Sequence, residues 1–212
     1  MDDCCSAKRN DLELLARQKD QRRVLVIVLA INAVMFVVEF GAGVLAGSSA
    51  LMADSVDMLG DASVYALSLY AIGRGARWES GAALAKAGLM SVLGIAILVN
   101  AVQRVSSGTP PIDELMLGAG SLALITNLAC LGLLWRFRAT NVNMASTWEC
   151  SRNDVISNIS VLVAAGLVAL TASPWPDAMV GALVAVMFLR SSWRVMRQAL
   201  PVWRGSAAET AR

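Results

Sequence analysis

The apolar residues of this chain fall into six long blocks, near residues 24–45, 50–72, 82–103, 115–135, 143–170 and 177–195. About 20 apolar residues at the helical rise cross the ~30 Å hydrocarbon core of a bilayer, whereas soluble helices alternate apolar and polar faces over shorter runs. Backbone amides in lipid must find partners within their own segment, so such blocks fold as helices. With 57% hydrophobic residues and a mean hydropathy of +0.59, the 212-residue chain reads as an all-α membrane protein with six transmembrane helices.

Basic residues mark one set of helix ends. Lys8, Arg9, Arg17, Lys19, Arg22 and Arg23 precede the first block, Arg74 and Arg77 follow the second, Arg136 and Arg138 the fourth, and Arg190, Arg194, Arg197 and Arg204 close the sixth. The opposite connections hold only Arg104, so the positive-inside rule predicts both termini cytoplasmic. The net charge of +2 thus reports orientation, and no basic patch with interleaved aromatics points to nucleic acid. Residues 1–23 are too long and too mixed in charge for a cleaved signal. They are expected to form a cytoplasmic tail with an interfacial helix over 10–23, followed by a transmembrane domain over 24–200 and a short tail over 201–212. Four scattered cysteines make no disulfide framework.

The stretch SSALMADSVDMLGDASVYALSLYA sets Asp54, Asp57 and Asp61 inside the second block. One aspartate at the centre of a spanning helix costs about 2.5–3.5 kcal/mol on insertion scales, so three require protein, water or a cation around them. Asp57 and Asp61 are one helical turn apart and share a face; Asp54 lies a turn earlier. The fifth block repeats the spacing with Cys150 and Asp154. If the two faces meet, three carboxylates and one sulfur converge, a set that suits tetrahedral zinc or softer cadmium better than octahedral magnesium. Arg152 points away from that centre, toward Glu149 or the membrane rim.

An empty acidic site in low dielectric gathers like charges and takes up protons, so metal and protons compete for it. A bundle exposing such a site alternately to each side exchanges metal for protons. Asn32, Asn100 and Asn127 fit ordinary interhelical hydrogen bonding, worth about 0.6 kcal/mol each. Glu39, an acid alone in the first block, is a candidate for the proton path. Cys4 and Cys5 form a weak soft-metal candidate, against the plainer reading of two reduced thiols in a tail.

With these residues in view, the chain resembles the cation diffusion facilitator family of divalent-metal/proton antiporters. The resemblance rests on NAVMFVVEFGAGVLAGSSALMADSVDMLGDA, VNAVQRV with the Pro pair beyond it, NVNMASTWECSRNDVISNISV and WPDAMVGALVAVMFLRSSWRVM. It implies a transport site of Asp57, Asp61, Cys150 and Asp154, with Asp54 and Asn153 beside the site or at its entrance. Two departures stand out. The chain has no histidine, so Cys150 occupies the place of the family's usual imidazole on the fifth helix. A thiolate there adds one negative charge and favours cadmium, lead or mercury over cobalt or manganese.

The second departure is at the C-terminal end, where the resemblance is to a short branch without the cytoplasmic domain. Any homodimer would then rest on helix contacts, for which Gly88, Gly94 and Gly181 are candidates. The expected function is proton-coupled efflux of zinc- or cadmium-class divalent ions across the inner (cytoplasmic) membrane. No covalent chemistry, enzyme activity, resident cofactor or nucleotide loop is expected. A passive channel and a membrane metal sensor or accessory protein are the competing readings.

Overall fold

The computed structural model describes the backbone of residues 2–71, 76–139 and 142–210, with side chains from residue 19 onward except those of 61, 64–79, 82, 140–147, 149–150 and 205–212. Six helices account for almost all of it: α1 (Asp2–Ala46), α2 (Ser49–Ala71), α3 (Ala76–Ser107), α4 (Asp113–Trp135), α5 (Val142–Thr171) and α6 (Trp175–Thr210). The six apolar blocks locate all six. Two helices outrun their blocks: α1 is continuous from Asp2 through residues 10–23 into the apolar stretch, and α6 continues beyond the expected boundary at 201. Pro201 lies inside α6, where it removes one backbone donor, yet the helix goes on and sets Trp203 against Gly81 of α3.

Polarity is arranged for lipid. Val34, Val37, Val92, Val102, Ile125 and Leu170 are exposed, while Glu39, Asp54, Asn127, Asp154, Asn158 and Asp177 are buried. Among the described residues, five helices are long and apolar enough to cross a membrane, over 19–46, 83–107, 113–135, 151–171 and 175–204. Helix α2 carries Asp54, Asp57 and Asp61 along its length. The multi-pass membrane character expected from the sequence is thus carried by five helices.

The packing shows where α2 gains its shelter. Helices α3 and α6 pair most extensively, α1 lies along α2, and α4 along α5. Alone among the six, α2 touches all five others. Its apolar positions join two cores: Leu51 packs with Met116, Val161 and Ala165, and Val56 with Met90, Ile97 and Ala185. The helix that carries the aspartates is therefore the one that meets every other helix, and Asp54 on it is buried in protein rather than exposed to lipid.

The α1–α2 connection is a tight reversal. Gly47 adopts φ +67°, Ser48 N–H donates to Gly43 O at 2.9 Å, and Ile112 N–H donates to Ala46 O at 2.9 Å. A Cβ on Gly47 would meet the Arg104 guanidinium as well as the left-handed backbone penalty. Gly47→Ala is expected to lower unfolding free energy by about 1–2 kcal/mol, read as a lower denaturation midpoint in detergent.

Two of the glycines expected at a subunit interface are occupied within the chain. Gly94 of α3 packs against Leu189 and the Ala185 carbonyl of α6, and Gly181 of α6 against the Ser49 backbone of α2. Only Gly88 faces open space. Gly94 and Gly181 thus allow close approach between helices within the chain.

Candidate metal centre

Helix α2 brings its acids to α5. Asp54 is buried and receives hydrogen bonds from Asn158 and Ser157 of α5. Asn158 Oδ1 in turn accepts from Asn127 Nδ2 of α4 at 2.8 Å. Glu39 of α1 reaches Asp54 from the other side and lies within electrostatic reach of Asp154. Four helices thus contribute to one polar core, in which Glu39, Asp54 and Asn158 are each at most 2% exposed.

The predicted ligands divide into two groups. Asp57 is half-buried on α2, Asp154 is buried on α5, and both carboxylates have partners. Asp61 and Cys150 belong to the same helices, one turn further along α2 and one turn earlier on α5, but their side chains lie outside the described residues. So do those of Cys4 and Cys5. Among the described residues, no three acids or thiols converge tightly enough to hold a metal ion. The structure therefore joins α2 to α5 and buries Asp54 and Asp154 between helices; of the four predicted ligands, the side chains of Asp57 and Asp154 are described and those of Asp61 and Cys150 are not.

Other sequence expectations have definite outcomes. Asn153 is exposed, since one residue along a helix turns the side chain by about 100° away from Asp154. The amide that does reach an acid is Asn158, a full turn beyond Asp154 on the same stripe, which the sequence reading did not single out. The Cys150, Asp154, Asn158 spacing of four and four is the signal that could have found it. Asn127 and Asn100 make the expected interhelical bonds, the latter accepting from Ser49 Oγ at 2.9 Å. Asn32 instead bonds within its own helix, donating to Val28 O at 3.0 Å. Arg152 is exposed, its guanidinium 5.6 Å from the centre of the Trp148 ring.

Glu39 is the least satisfied group of the core. Neither of its oxygens accepts a hydrogen bond from a donor among the described residues. An ionised carboxylate is acceptor-only, so two carboxylates face to face cannot bond to one another unless one carries a proton. A proton on one of the two acids would let them bond to each other in this buried place.

A helical membrane bundle with an acidic interior and a charge-bearing central helix defines a class, polytopic proteins that handle cations. The model of the cation efflux transmembrane domain matches residues 25–202, and the chain belongs to that family, the cation diffusion facilitators. Among curated proteins, the chain is 26% identical over 194 residues to the zinc transporter ZitB of Yersinia pestis, covering 85% of this chain and 62% of that protein. It is 27% identical over 193 residues to the metal cation efflux system protein CzcD of Cupriavidus metallidurans, covering 85% and 61%. A third relative, the cadmium, cobalt and zinc/H(+)-K(+) antiporter of Bacillus subtilis, is 22% identical over 195 residues, covering 85% and 63%. The chain spans about three fifths of the length of these relatives.

The amide chain gives a test of the core. Asn127→Ala leaves the Asn158 carbonyl oxygen without its donor and is expected to cost about 1–3 kcal/mol. Replacing Asn158 itself, which also strips a donor from Asp54, is expected to cost more. Denaturation midpoints of the two variants in detergent check the order.

Proposed function

We propose that the protein exports zinc- or cadmium-class divalent cations from the cytoplasm in exchange for protons, as a secondary transporter of the inner membrane. The observation that carries this reading is the enclosure of α2, which sets Asp54 against α5, with Asp54 and Asp154 both buried. The transported ion is held by Asp57, Asp61, Cys150 and Asp154, three oxygens and one sulfur, with Asp54 beside them. Relatives named for zinc, cadmium and cobalt support the substrate class, and the antiporter from Bacillus subtilis supports proton exchange.

The mechanism follows from charge. A divalent ion entering from the cytoplasm displaces protons from the acidic core, because both compete for the same carboxylate oxygens. Glu39, facing Asp54 without a hydrogen-bond donor, takes part in proton movement. After α2 and α5 turn the site toward the other side, protons return to the carboxylates and release the metal. Helix α2 crosses the membrane as the sixth span, sheltered by its neighbours, and both termini are cytoplasmic. The basic helix ends support that orientation: Arg104 is the only Lys or Arg near the α1–α2, α3–α4 and α5–α6 connections.

Zinc and cadmium uptake into proteoliposomes under an imposed pH gradient tests the reading. Uptake is expected to rise with the gradient and to vanish in Asp57→Ala. A channel follows the metal gradient and voltage alone, and a sensor or accessory protein moves no metal. Cys150→Ala is expected to lose cadmium transport while keeping zinc; loss of neither ion assigns the thiol to packing. Glu39→Gln is expected to keep metal binding but weaken the dependence of uptake on the pH gradient, checked by flux measurements at several gradients.

A further inference from the structure

The N-terminus of α2 is held by a residue from the far end of the chain. Asp177, in the first turn of α6 and fully buried, accepts from Ser49 N–H at 2.7 Å, from Ala50 N–H at 3.1 Å and from the Ser48 hydroxyl. Ser48 Oγ also accepts from Leu51 N–H at 3.0 Å, and Met52 N–H bonds to Ser48 O. The amides at the start of α2, which its own turns cannot satisfy, therefore all find acceptors, two of them on another helix. A negative charge at this end also complements the α2 dipole.

The surroundings show that α6 is fitted to this contact. Gly181, one turn after Asp177 on the same face, lies so close to Ser49 that an added Cβ would stand 2.6 Å from its backbone. Arg104 of α3 covers Gly47 and lies within electrostatic reach of Asp177, and Asn100 of α3 accepts from Ser49 Oγ. Directly below is the apolar layer of Ala46, Ala50, Leu51, Met116, Val161, Ala164 and Ala165. The contact therefore joins α2 to the α3–α6 pair at one end of the bundle and covers the apolar plug beneath.

We infer that Asp177 is a positioning residue that latches the start of α2 to α6, closing this end of the bundle and fixing the point about which the acid-bearing helix moves. The inference deepens the transporter reading and rests on it for its role in transport, while the latch itself is readable without any metal.

The test is protection of a reporter thiol below the latch. Ala164→Cys places it on α5, where the native side chain is 1% exposed, and Cys130, buried in a separate cluster, reports loss of the whole fold. A membrane-impermeant maleimide is applied to the purified full-length protein without metal, and modification at each position is read by peptide mass. With Asp177 present, both thiols are expected to stay protected. In Asp177→Ala, position 164 is expected to react at least about tenfold faster while Cys130 stays protected, since each charge-assisted bond lost shifts an opening equilibrium by about that factor. Ser48→Ala, which keeps both backbone donors on Asp177, is expected to give an intermediate rate, and serves as the main test if Asp177→Ala exposes Cys130. The latch is overturned if position 164 remains protected in both variants, or if the two thiols become reactive together in both. Because no metal is present, failure here is separate from failure of transport in the vesicle assay.

Discussion

Negative charge in a low-dielectric interior has to be surrounded before it can be kept, and this requirement organises the bundle. Lipid cannot supply the hydrogen bonds or counter-charge that a carboxylate needs. Helix α2, which carries three aspartates, accordingly contacts all five other helices, and Asp54 on it is buried. Helices α1, α4 and α5 contribute Glu39, Asn127, Asn158 and Asp154 to its polar face. Helices α3 and α6 supply the apolar contacts at Met90, Ile97 and Ala185. One face of α2 thus belongs to the chemistry and another to the framework, so movement between these groups necessarily changes the surroundings of the acids.

The polar core is connected as a chain in which each amide uses both of its ends. Asn158 donates to Asp54 and accepts from Asn127, fixing the orientation of an acid one turn from the proposed ligands. Such networks hold geometry well when complete and become costly when one member is removed. Glu39 is the exception, with oxygens that lack donors. The network is thus closed by amides on one side of Asp54 and open at Glu39 on the other.

Much of this was legible in the sequence, for reasons that also mark where reading stopped. Block length located all six helices because lipid imposes a strong, local requirement on each one separately. Helical spacing found Asp57 with Asp61 and Cys150 with Asp154, since residues four apart share a face on any helix. Asn158 follows the same rule but carries no charge, so nothing drew attention to it. The role of Asp177 was hidden for a different reason: an acid in a helix's first turn is explained locally by that helix's own dipole, yet this one caps α2. The boundary expected at 201 followed the end of the apolar block, whereas the contact of Trp203 with Gly81, which accompanies the continuing helix, is tertiary. The glycines misled similarly, since sequence shows that a helix can be approached closely but not by which neighbour.

The clamp on α2 also sets an order of assembly. Ser49 and Asp177 are separated by 128 residues, so a ribosome adding roughly 5–20 residues per second makes the second helix about 6–25 s before its cap exists. Throughout that interval α2 has α1 beside it but not its acceptor, and the Asn158 amide that reaches Asp54 is made only near its end. Its start is completed by α6, the last of these six helices to be made. The order of synthesis therefore leaves the first turn of α2 without two of its acceptors until the sixth helix packs beside it.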